Sequence, residues 1–259
     1  MRTNKGKIKI HSIETFGTHD GPGIRLVVFT QGCLFRCAYC HNPDSQLWDN
    51  PDAINLNANE IINKLDKQKS YFKNDGGITF SGGEPTLQAK ELLSICKKIK
   101  KAGFHITLDT CGAIHNEDVQ NLYDVCDLVM LDVKHINRDW HIKLTKQPND
   151  NVLKNANYRE KTGKEMWLRY VLVPGWTDQE EYLVEWAKYF SKYKSISKVQ
   201  ILPYHHLGVH KYKELGLDYL LEGVREANKK DAQRAKEIFE KHLTHVEIAW
   251  AFSHNENIN

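Results

Sequence analysis

The sequence has no long hydrophobic run and no strong excess of one charge. Its longest apolar stretches, such as Leu26–Phe29, are far too short for a membrane span. Basic residues near the N-terminus are not followed by an apolar segment, so no secretory signal is expected. The 36 basic and 33 acidic side chains are mixed along 259 residues, which does not indicate a nucleic-acid surface. With 41% hydrophobic and 27% charged residues, we expect a globular cytoplasmic protein that binds neither membrane nor nucleic acid.

Cysteines are few, and their placement is uneven. Three of the six, Cys33, Cys37 and Cys40, fall within eight residues. Disulfides are not expected, because the cytoplasm keeps thiols reduced. Cys96 and Cys126 occupy apolar positions of helical patterns and are predicted to be buried core thiols. The three clustered cysteines are therefore the first indication of a chemical function.

Apolar runs typical of strands alternate with amphipathic helical stretches. The predicted strands are Ile24–Thr30, Gly77–Ser81, His105–Asp109, Leu128–Val133, Trp167–Val173 and Lys198–Pro203, with a further apolar run at Val246–Phe252. The predicted helices are Asn59–Phe72, Leu87–Lys101, Asn116–Cys126, a stretch within Arg138–Lys161, Asp178–Tyr193 and Asp231–His242. About six βα units predict an α/β fold with a parallel sheet. Because a closed barrel of this type needs eight units, we expect a partial, open TIM-type barrel in one domain, residues 1–259.

Polar residues and glycines follow the predicted strands where each strand ends. Examples are Ser81 to Glu84, Asp109, and the pair Asp132 and Lys134. In parallel α/β folds, chemistry gathers at the carboxyl ends of the strands. Asp132 and Lys134 are two residues apart on a strand, so they are expected to face the same side, toward a cavity.

The clustered cysteines have the spacing C-x3-C-x2-C and follow the first predicted strand. A structural zinc site needs four ligands, and the nearest further candidate, His41, is adjacent to Cys40 and poorly placed to reach the same ion. The segment Cys37 to His41 also matches the haem-attachment pattern, and a thioredoxin-like cysteine pair is a third alternative. A fourth is an iron–sulfur cluster on three thiolates, with one iron left open, or with Cys111 as a distant fourth ligand. The spacing alone leaves these alternatives open.

Short motifs along nearly the whole chain resemble one family. They are Asp20-Gly21-Pro22-Gly23-Ile24-Arg25, Tyr39-Cys40-His41-Asn42-Pro43, Ser81-Gly82-Gly83-Glu84-Pro85, Asp132-Val133-Lys134, Arg169-Tyr170-Val171, Val173-Pro174-Gly175-Trp176 and Leu202-Pro203-Tyr204-His205. In this order they resemble the glycyl-radical-enzyme activases of the radical S-adenosylmethionine superfamily. Several of those activases carry a cysteine-rich, ferredoxin-like insert, whereas no cysteine lies between Pro43 and Ile78 here. The resemblance therefore narrows to the members that act on pyruvate formate-lyase.

The resemblance implies an oxidoreductase with one four-iron, four-sulfur (4Fe-4S) cluster and S-adenosylmethionine as cofactors. It implies that Cys33, Cys37 and Cys40 hold the cluster. The reduced cluster is expected to cleave S-adenosylmethionine to a 5′-deoxyadenosyl radical. That radical is expected to take hydrogen from a glycine of pyruvate formate-lyase under anaerobic conditions.

The resemblance also assigns further site residues and partners. The expected contacts to S-adenosylmethionine are Tyr39, Cys40, His41, Gly82, Gly83, Glu84, Asp132, Val133, Lys134, Arg169 and His205. Glu84 is expected either to pair with the ammonium group of the cofactor or to anchor its own loop. Asp109 and Asp132 are expected to share a monovalent cation, and Asp20, Gly21, Pro22, Gly23 and Arg25 to dock the glycine loop of the partner. An electron donor such as flavodoxin or ferredoxin is expected, and the chain is expected to be a monomer.

Two alternatives to this function remain at the level of sequence. One is the same chemistry on another glycyl radical enzyme or on a small molecule. The other is a non-catalytic iron–sulfur electron carrier, which requires a fourth cysteine ligand such as Cys111.

Overall fold

The computed structural model describes residues 6–250, which form an α/β fold. Its strands are β1 (Lys7–Gly17), β2 (Arg25–Thr30), β3 (Ile54–Asn57), β4 (Gly77–Gly82), β5 (His105–Thr110), β6 (Leu128–Asp132), β7 (Met166–Leu172), β8 (Ile196–Pro203) and β9 (Val246–Ile248). Its α-helices are α1 (Ala58–Phe72), α2 (Ala89–Lys101), α3 (Glu117–Val125), α4 (Arg138–Thr145), α5 (Asp150–Thr162), α6 (Glu180–Phe190), α7 (Val209–Glu214) and α8 (Lys229–Glu240). No helix in residues 6–250 is both long enough and apolar enough to cross a membrane.

All nine strands belong to one sheet with the order β3-β1-β2-β4-β5-β6-β7-β8-β9. From β2 to β9 each neighbouring pair is parallel, whereas β1 runs antiparallel to both β2 and β3. The order is linear, so the sheet has two edges and remains open. The predicted α/β fold with a partial barrel is confirmed; the single domain stays a prediction.

Two antiparallel strands, β1 and β3, were not predicted from the sequence. The alternation of Ile8 and Ile10 with lysines is a strand signal, and both isoleucines are fully buried. The predicted helical stretch within 138–161 is two helices, because the left-handed backbone at Lys146 ends α4 before Pro148. Of the apolar run predicted to Phe252, strand β9 covers Val246–Ile248, and residues 251 and 252 lie outside the described range.

The two faces of the sheet have different residues, because successive side chains of a strand point to opposite sides. Val28, Phe80 and Leu108 face the helices and form part of the main hydrophobic core. Cys96 and Cys126 are buried in the same core, as predicted. The opposite, concave face carries polar side chains and lines a large cavity. The fold thus separates an apolar supporting layer from a polar interior.

Candidate active site

A cavity of about 940 Å³ occupies the concave face of the sheet. Its volume lies in the upper part of the range typical of ligand sites, about 300–1,000 Å³. It is lined by most of the residues predicted for the cluster and the cofactor, namely Cys33, Cys37, Tyr39, Cys40, His41, Gly82, Gly83, Asp109, Asp132, Lys134, Arg169 and His205. The fold therefore brings together residues that are spread over more than 170 positions of the sequence.

The cysteine loop is held in place by its backbone. The N–H of Cys33 donates to the carbonyl of Gln46 at 3.0 Å, and the N–H of Ala38 donates to the carbonyl of Leu144 at 2.8 Å. The N–H of Arg36 donates to the carbonyl of Thr145, also at 2.8 Å. Because the backbone is fixed by the last turn of α4 and by the segment after the loop, the cysteine side chains remain half-buried and face the cavity.

The thiols lie in a site with a buried positive charge. A hydrogen bond with the Cys111 thiol lowers the pKa of Cys33, whereas burial raises the pKa of Cys37 and Cys40. The ammonium group of Lys134 opposes that rise at Cys37, because it favours the thiolate. Thiolates are the form that binds iron. In residues 6–250, no three His, Cys, Asp or Glu side chains are grouped closely enough to hold a metal ion without rearrangement.

Four charged side chains form a group beside the thiols. The guanidinium of Arg169 lies 2.8 Å from Asp109 Oδ2 and 3.9 Å from Asp132 Oδ1. Lys134 Nζ lies 2.5 Å from Asp132 Oδ2. Burial would raise the pKa of Asp132, but Lys134 and Arg169 hold it below its usual value. These four side chains, Asp109, Asp132, Lys134 and Arg169, are called the charge group. They expose positive and negative charges to the cavity, although most of these charges form ion pairs with one another.

Several polar atoms of the site are buried without a hydrogen-bond partner in the described part of the chain. They are Tyr39 OH, Asp109 Oδ1, Asp132 Oδ1 and Arg169 Nε. Each unpaired buried polar atom costs about 1–3 kcal/mol. A ligand with ammonium, carboxylate and hydroxyl groups would supply the missing partners. These residues therefore fit the amino-acid and ribose parts of S-adenosylmethionine.

Two residues predicted to contact the cofactor, Glu84 and Val133, do not line the cavity. The Glu84 carboxylate is fully buried and accepts hydrogen bonds from Thr86, from Thr110 Oγ1 at 2.7 Å and from the N–H of Cys111 at 2.8 Å. Of its two predicted roles, the structure favours the loop anchor. The Val133 side chain belongs to the hydrophobic core, on the opposite face from the cavity, so the predicted contact with the cofactor is not made by this side chain and stays a prediction for the backbone.

The two glycines at the end of β4 are required by close backbone contacts. A Cβ on Gly83 would lie 2.3 Å from the carbonyl oxygen of Gly32. A Cβ on Gly82, which has a φ of +102°, would lie 2.4 Å from the nitrogen of Thr30. Both glycines therefore let the end of β4 approach the end of β2 and the start of the cysteine loop. The sequence predicted that they contact the cofactor, but it did not predict this contact between strand ends.

The rings of His41 and His205 lie next to each other in the lining of the cavity. Their ring centroids are 4.2 Å apart, with 37° between the ring planes. Burial lowers the pKa of His41 to about 4, and burial also lowers the pKa of His205. Gly208 lies against the His41 backbone, where a Cβ would come within 2.7 Å. Two neutral aromatic rings are a suitable surface for a purine base.

The segment from Asp20 to Arg25, predicted to dock the glycine loop of the partner, lies only partly at the cavity. Gly21, Pro22 and Gly23 line the cavity. Burial and the charge of Asp109 raise the pKa of Asp20 to about 6. Arg25 is fully buried and donates to Thr79 Oγ1 at 3.0 Å, to Thr107 Oγ1 at 2.9 Å and to the carbonyl of Ile78. The prediction that Arg25 contacts a partner is therefore wrong, because its guanidinium links β2, β4 and β5 inside the fold.

Some residues of the cavity were not identified from the sequence. They include Thr18, His19, Trp167, Lys198, Gln200, Glu247 and Trp250. The available signal was the alternation along β7 and β8, which places Trp167 on the same face as Arg169 and Lys198 on the same face as Gln200.

Comparison with known proteins identifies the family. Residues 27–187 match the model of the radical SAM superfamily. The pyruvate formate-lyase-activating enzyme of Staphylococcus epidermidis is 43% identical over 83% of this chain and 88% of its own length. The enzyme of the same name from Streptococcus mutans is 42% identical over 88% of this chain and 89% of its own.

A solved structure shows the same fold at lower identity. The crystal structure of a domain of pyruvate-formate lyase-activating enzyme from Bacteroides vulgatus has a TM-score of 0.57 and 23% identity, and the match covers 67% of this chain and 99% of that one. With the sequence relatives, these findings give the assignment. The chain belongs to the radical SAM superfamily and, within it, to the family of the pyruvate formate-lyase-activating enzymes.

Proposed function

We propose that this chain activates pyruvate formate-lyase by generating a radical on one of its glycines. The observation that carries the proposal is a single cavity shared by three half-buried thiols and by the Asp109, Asp132, Lys134 and Arg169 charge group. When bound, the cluster and S-adenosylmethionine supply an electron and a 5′-deoxyadenosyl radical that takes hydrogen from the glycine. The relatives named above support pyruvate formate-lyase as the substrate.

Each part of the cavity has a separate role in this proposal. Cys33, Cys37 and Cys40 hold the cluster, and three thiolates leave one of its irons for the cofactor. The charge group binds the amino-acid and ribose parts of the cofactor through its unpaired atoms. His41 and His205 contact the adenine.

Finer parts of the proposal concern a cation and the partners. A monovalent cation is proposed between Asp109 and Asp132, each of which has a buried Oδ1 atom that makes no hydrogen bond in the described residues, while Arg169 forms ion pairs with both carboxylates. Gly21, Pro22 and Gly23 are proposed to contact the glycine loop of pyruvate formate-lyase, because they border the same cavity. A flavodoxin or ferredoxin as electron donor, a monomeric state and a cytoplasmic location stay predictions.

Electron paramagnetic resonance under strict anaerobiosis tests the function. The reconstituted protein is mixed with a reductant, S-adenosylmethionine and inactive pyruvate formate-lyase. A glycyl radical is expected, and it should be lost in Cys33→Ala, Cys37→Ala or Cys40→Ala. Cys126→Ala, which changes a buried core thiol, is the matched control and should retain the radical.

Two further readouts separate the alternatives. A cluster that survives in Cys111→Ala supports three cysteine ligands, whereas loss of the cluster would favour a four-cysteine electron carrier. If 5′-deoxyadenosine accumulates without a glycyl radical, the chemistry is right but the substrate is a different one. If neither product forms in a protein that holds its cluster, the proposed function is wrong.

A further inference from the structure

Gln200 on β8 is a buried polar residue of the cavity that the proposed chemistry does not use. Its side chain lines the cavity, and only 7% of the residue is exposed. Its Nε2 donates to Glu247 Oε1 at 2.7 Å. Its Oε1 has no hydrogen-bond partner within the part of the chain that the structure describes. A buried acceptor left unpaired destabilises the free protein, so a ligand that donates to it is expected to gain from the contact.

The strand register places Gln200 beside the charge group. Asp132 is paired with Arg169, Arg169 with Gln200, and Gln200 with Glu247, in one row across β6, β7, β8 and β9. The row therefore continues from the proposed cofactor site toward the β9 edge of the open sheet. A ligand bound next to the cofactor on this side would reach Gln200.

The neighbours of Gln200 determine what kind of group suits it. Glu247 already accepts from Gln200 and lies 3.2 Å from Lys198 Nζ, so its charge is paired. Lys198 Nζ also lies 4.1 Å from the centroid of the Trp167 ring. The remaining acceptor is the neutral amide oxygen of Gln200. A neutral N–H donor is its natural complement, since an ammonium group would be better matched by a free carboxylate.

The open sheet favours an extended chain as the ligand. The cavity is bordered on one side by the loop of Gly21, Pro22 and Gly23, before β2, and on the other by β8 and β9. A segment that enters between these two borders brings main-chain amides to both. A glycine has no side chain to be recognised, so main-chain hydrogen bonds are the contacts that can position the glycine itself.

We propose that Gln200 Oε1 accepts a hydrogen bond from a main-chain N–H of the glycine segment of the substrate protein. Trp167, Lys198, Gln200 and Glu247 then form a peptide subsite next to the cofactor site. This inference rests on the proposed function, because it takes pyruvate formate-lyase as the source of the peptide. It makes Gln200 a substrate-positioning residue.

A double-mutant cycle between the enzyme and the peptide tests the hydrogen bond. The reconstituted enzyme with S-adenosylmethionine is titrated anaerobically with a short peptide that contains the pyruvate formate-lyase glycine. Gln200→Met has a similar size but lacks the amide oxygen and the NH2 group that donates to Glu247. It should weaken peptide binding about tenfold, equivalent to about 1.4 kcal/mol. A series of peptides in which each amide is replaced in turn by an ester removes one N–H at a time.

The ester series gives the decisive result. One ester peptide should bind about tenfold more weakly to the unsubstituted enzyme and show no such loss with Gln200→Met. Gln120→Met, a half-buried glutamine on α3 outside this cavity, is the matched control and should behave as the unsubstituted enzyme.

Each other result overturns the inference in a recognisable way. If every ester costs the same affinity in both enzymes, Gln200 does not accept from the peptide. If Gln200→Met weakens S-adenosylmethionine binding as much as peptide binding, Gln200 supports the site as a whole. If the unsubstituted enzyme binds neither the peptide nor pyruvate formate-lyase yet forms 5′-deoxyadenosine, the substrate in the proposed function is wrong, and the inference falls with it.

Discussion

At the scale of single residues, the buried charges of this protein are divided between structure and ligand. Glu84 has both carboxylate oxygens engaged by neighbouring donors. Arg25 is likewise saturated by groups on adjacent strands. In contrast, Asp109, Asp132 and Arg169 each retain a buried polar atom that makes no hydrogen bond in the described residues. A buried atom without a hydrogen bond therefore distinguishes these three residues, which are proposed to bind a ligand, from Glu84 and Arg25, which support the fold.

Glu84→Gln should destabilise the protein rather than only weaken cofactor binding. The substitution removes the charge and turns an NH2 group toward donors such as Thr110 Oγ1 or the N–H of Cys111. Hydrogen bonds to a buried charge contribute about 1.5–3 kcal/mol each, so the free energy of unfolding in urea should fall by about 2–3 kcal/mol. Glu185→Gln, on the exposed face of α6, is the control and should change little. Normal stability with selective loss of S-adenosylmethionine binding would instead show that Glu84 contacts the cofactor.

At the scale of secondary-structure elements, the cysteine loop depends on its neighbours for its shape. The last turn of α4 supplies the carbonyls of Leu144 and Thr145 to the loop. On the other side, the N–H of Glu84 donates to the carbonyl of Gly32 at 2.8 Å. The loop therefore sits between the end of a helix and the end of β4. Changes in either element are expected to affect the cluster.

Gly83→Ala should lower the iron content of the reconstituted protein. The added methyl group would lie 2.3 Å from the carbonyl oxygen of Gly32, so the ends of β2 and β4 must separate. Overpacking of this kind costs about 1–3 kcal/mol, and here the strain falls on the cysteine loop. Gly103→Ala is the control, because it strains a left-handed glycine (φ +87°) but meets no atom within 4 Å. Equal iron content in the two variants, measured with their unfolding free energies, would contradict this account.

At the scale of the whole molecule, two buried histidines link the stability of the fold to pH. His135 and His141 are fully buried, and burial lowers the pKa of each to about 4. In the described residues each has an Nε2 atom without a hydrogen-bond partner. Protonation in the folded state would therefore bury a charge that nothing compensates.

Acid should destabilise the fold over the range set by these pKa values. An unfolded histidine has a pKa of about 6.5, so between about pH 6.5 and pH 4 the unfolded state binds more protons than the folded state. The free energy of unfolding therefore decreases as the pH is lowered through this range. His135→Gln should reduce the slope over this range in urea titrations at several pH values. His210→Gln, an exposed histidine on α7, should leave the slope unchanged. If His135→Gln also leaves it unchanged, His135 is not buried neutral.

The sequence was sufficient for features that depend on local pattern. The alternation of apolar runs and helical stretches predicts the parallel strands β2 and β4 to β8, because burial on both faces imposes that pattern. The spacing of Cys33, Cys37 and Cys40 limits the site to a few kinds of metal or thiol chemistry, because the residue types and their order are read directly from the chain. Of the two antiparallel strands that were missed, β1 has a local signal in the alternation of Ile8 and Ile10 with lysines. In the short strand β3, by contrast, pairing with β1 decides whether the segment is extended.

Only the tertiary structure decided which buried polar groups are bonded to neighbouring strands and which face the cavity. Arg169 and Arg25 look alike in sequence, yet one faces the cavity and the other is bonded within the sheet. Alternation along β8 places Gln200 on one face with Lys198, but its position beside Arg169 and Glu247 comes from the register of the neighbouring strands. The chain alone predicted the fold class, which follows from local periodicity, and it named Cys33, Cys37 and Cys40 as candidate cluster ligands through the family resemblance of its motifs. The partners of each buried polar group follow from strand register, which only the assembled sheet fixes.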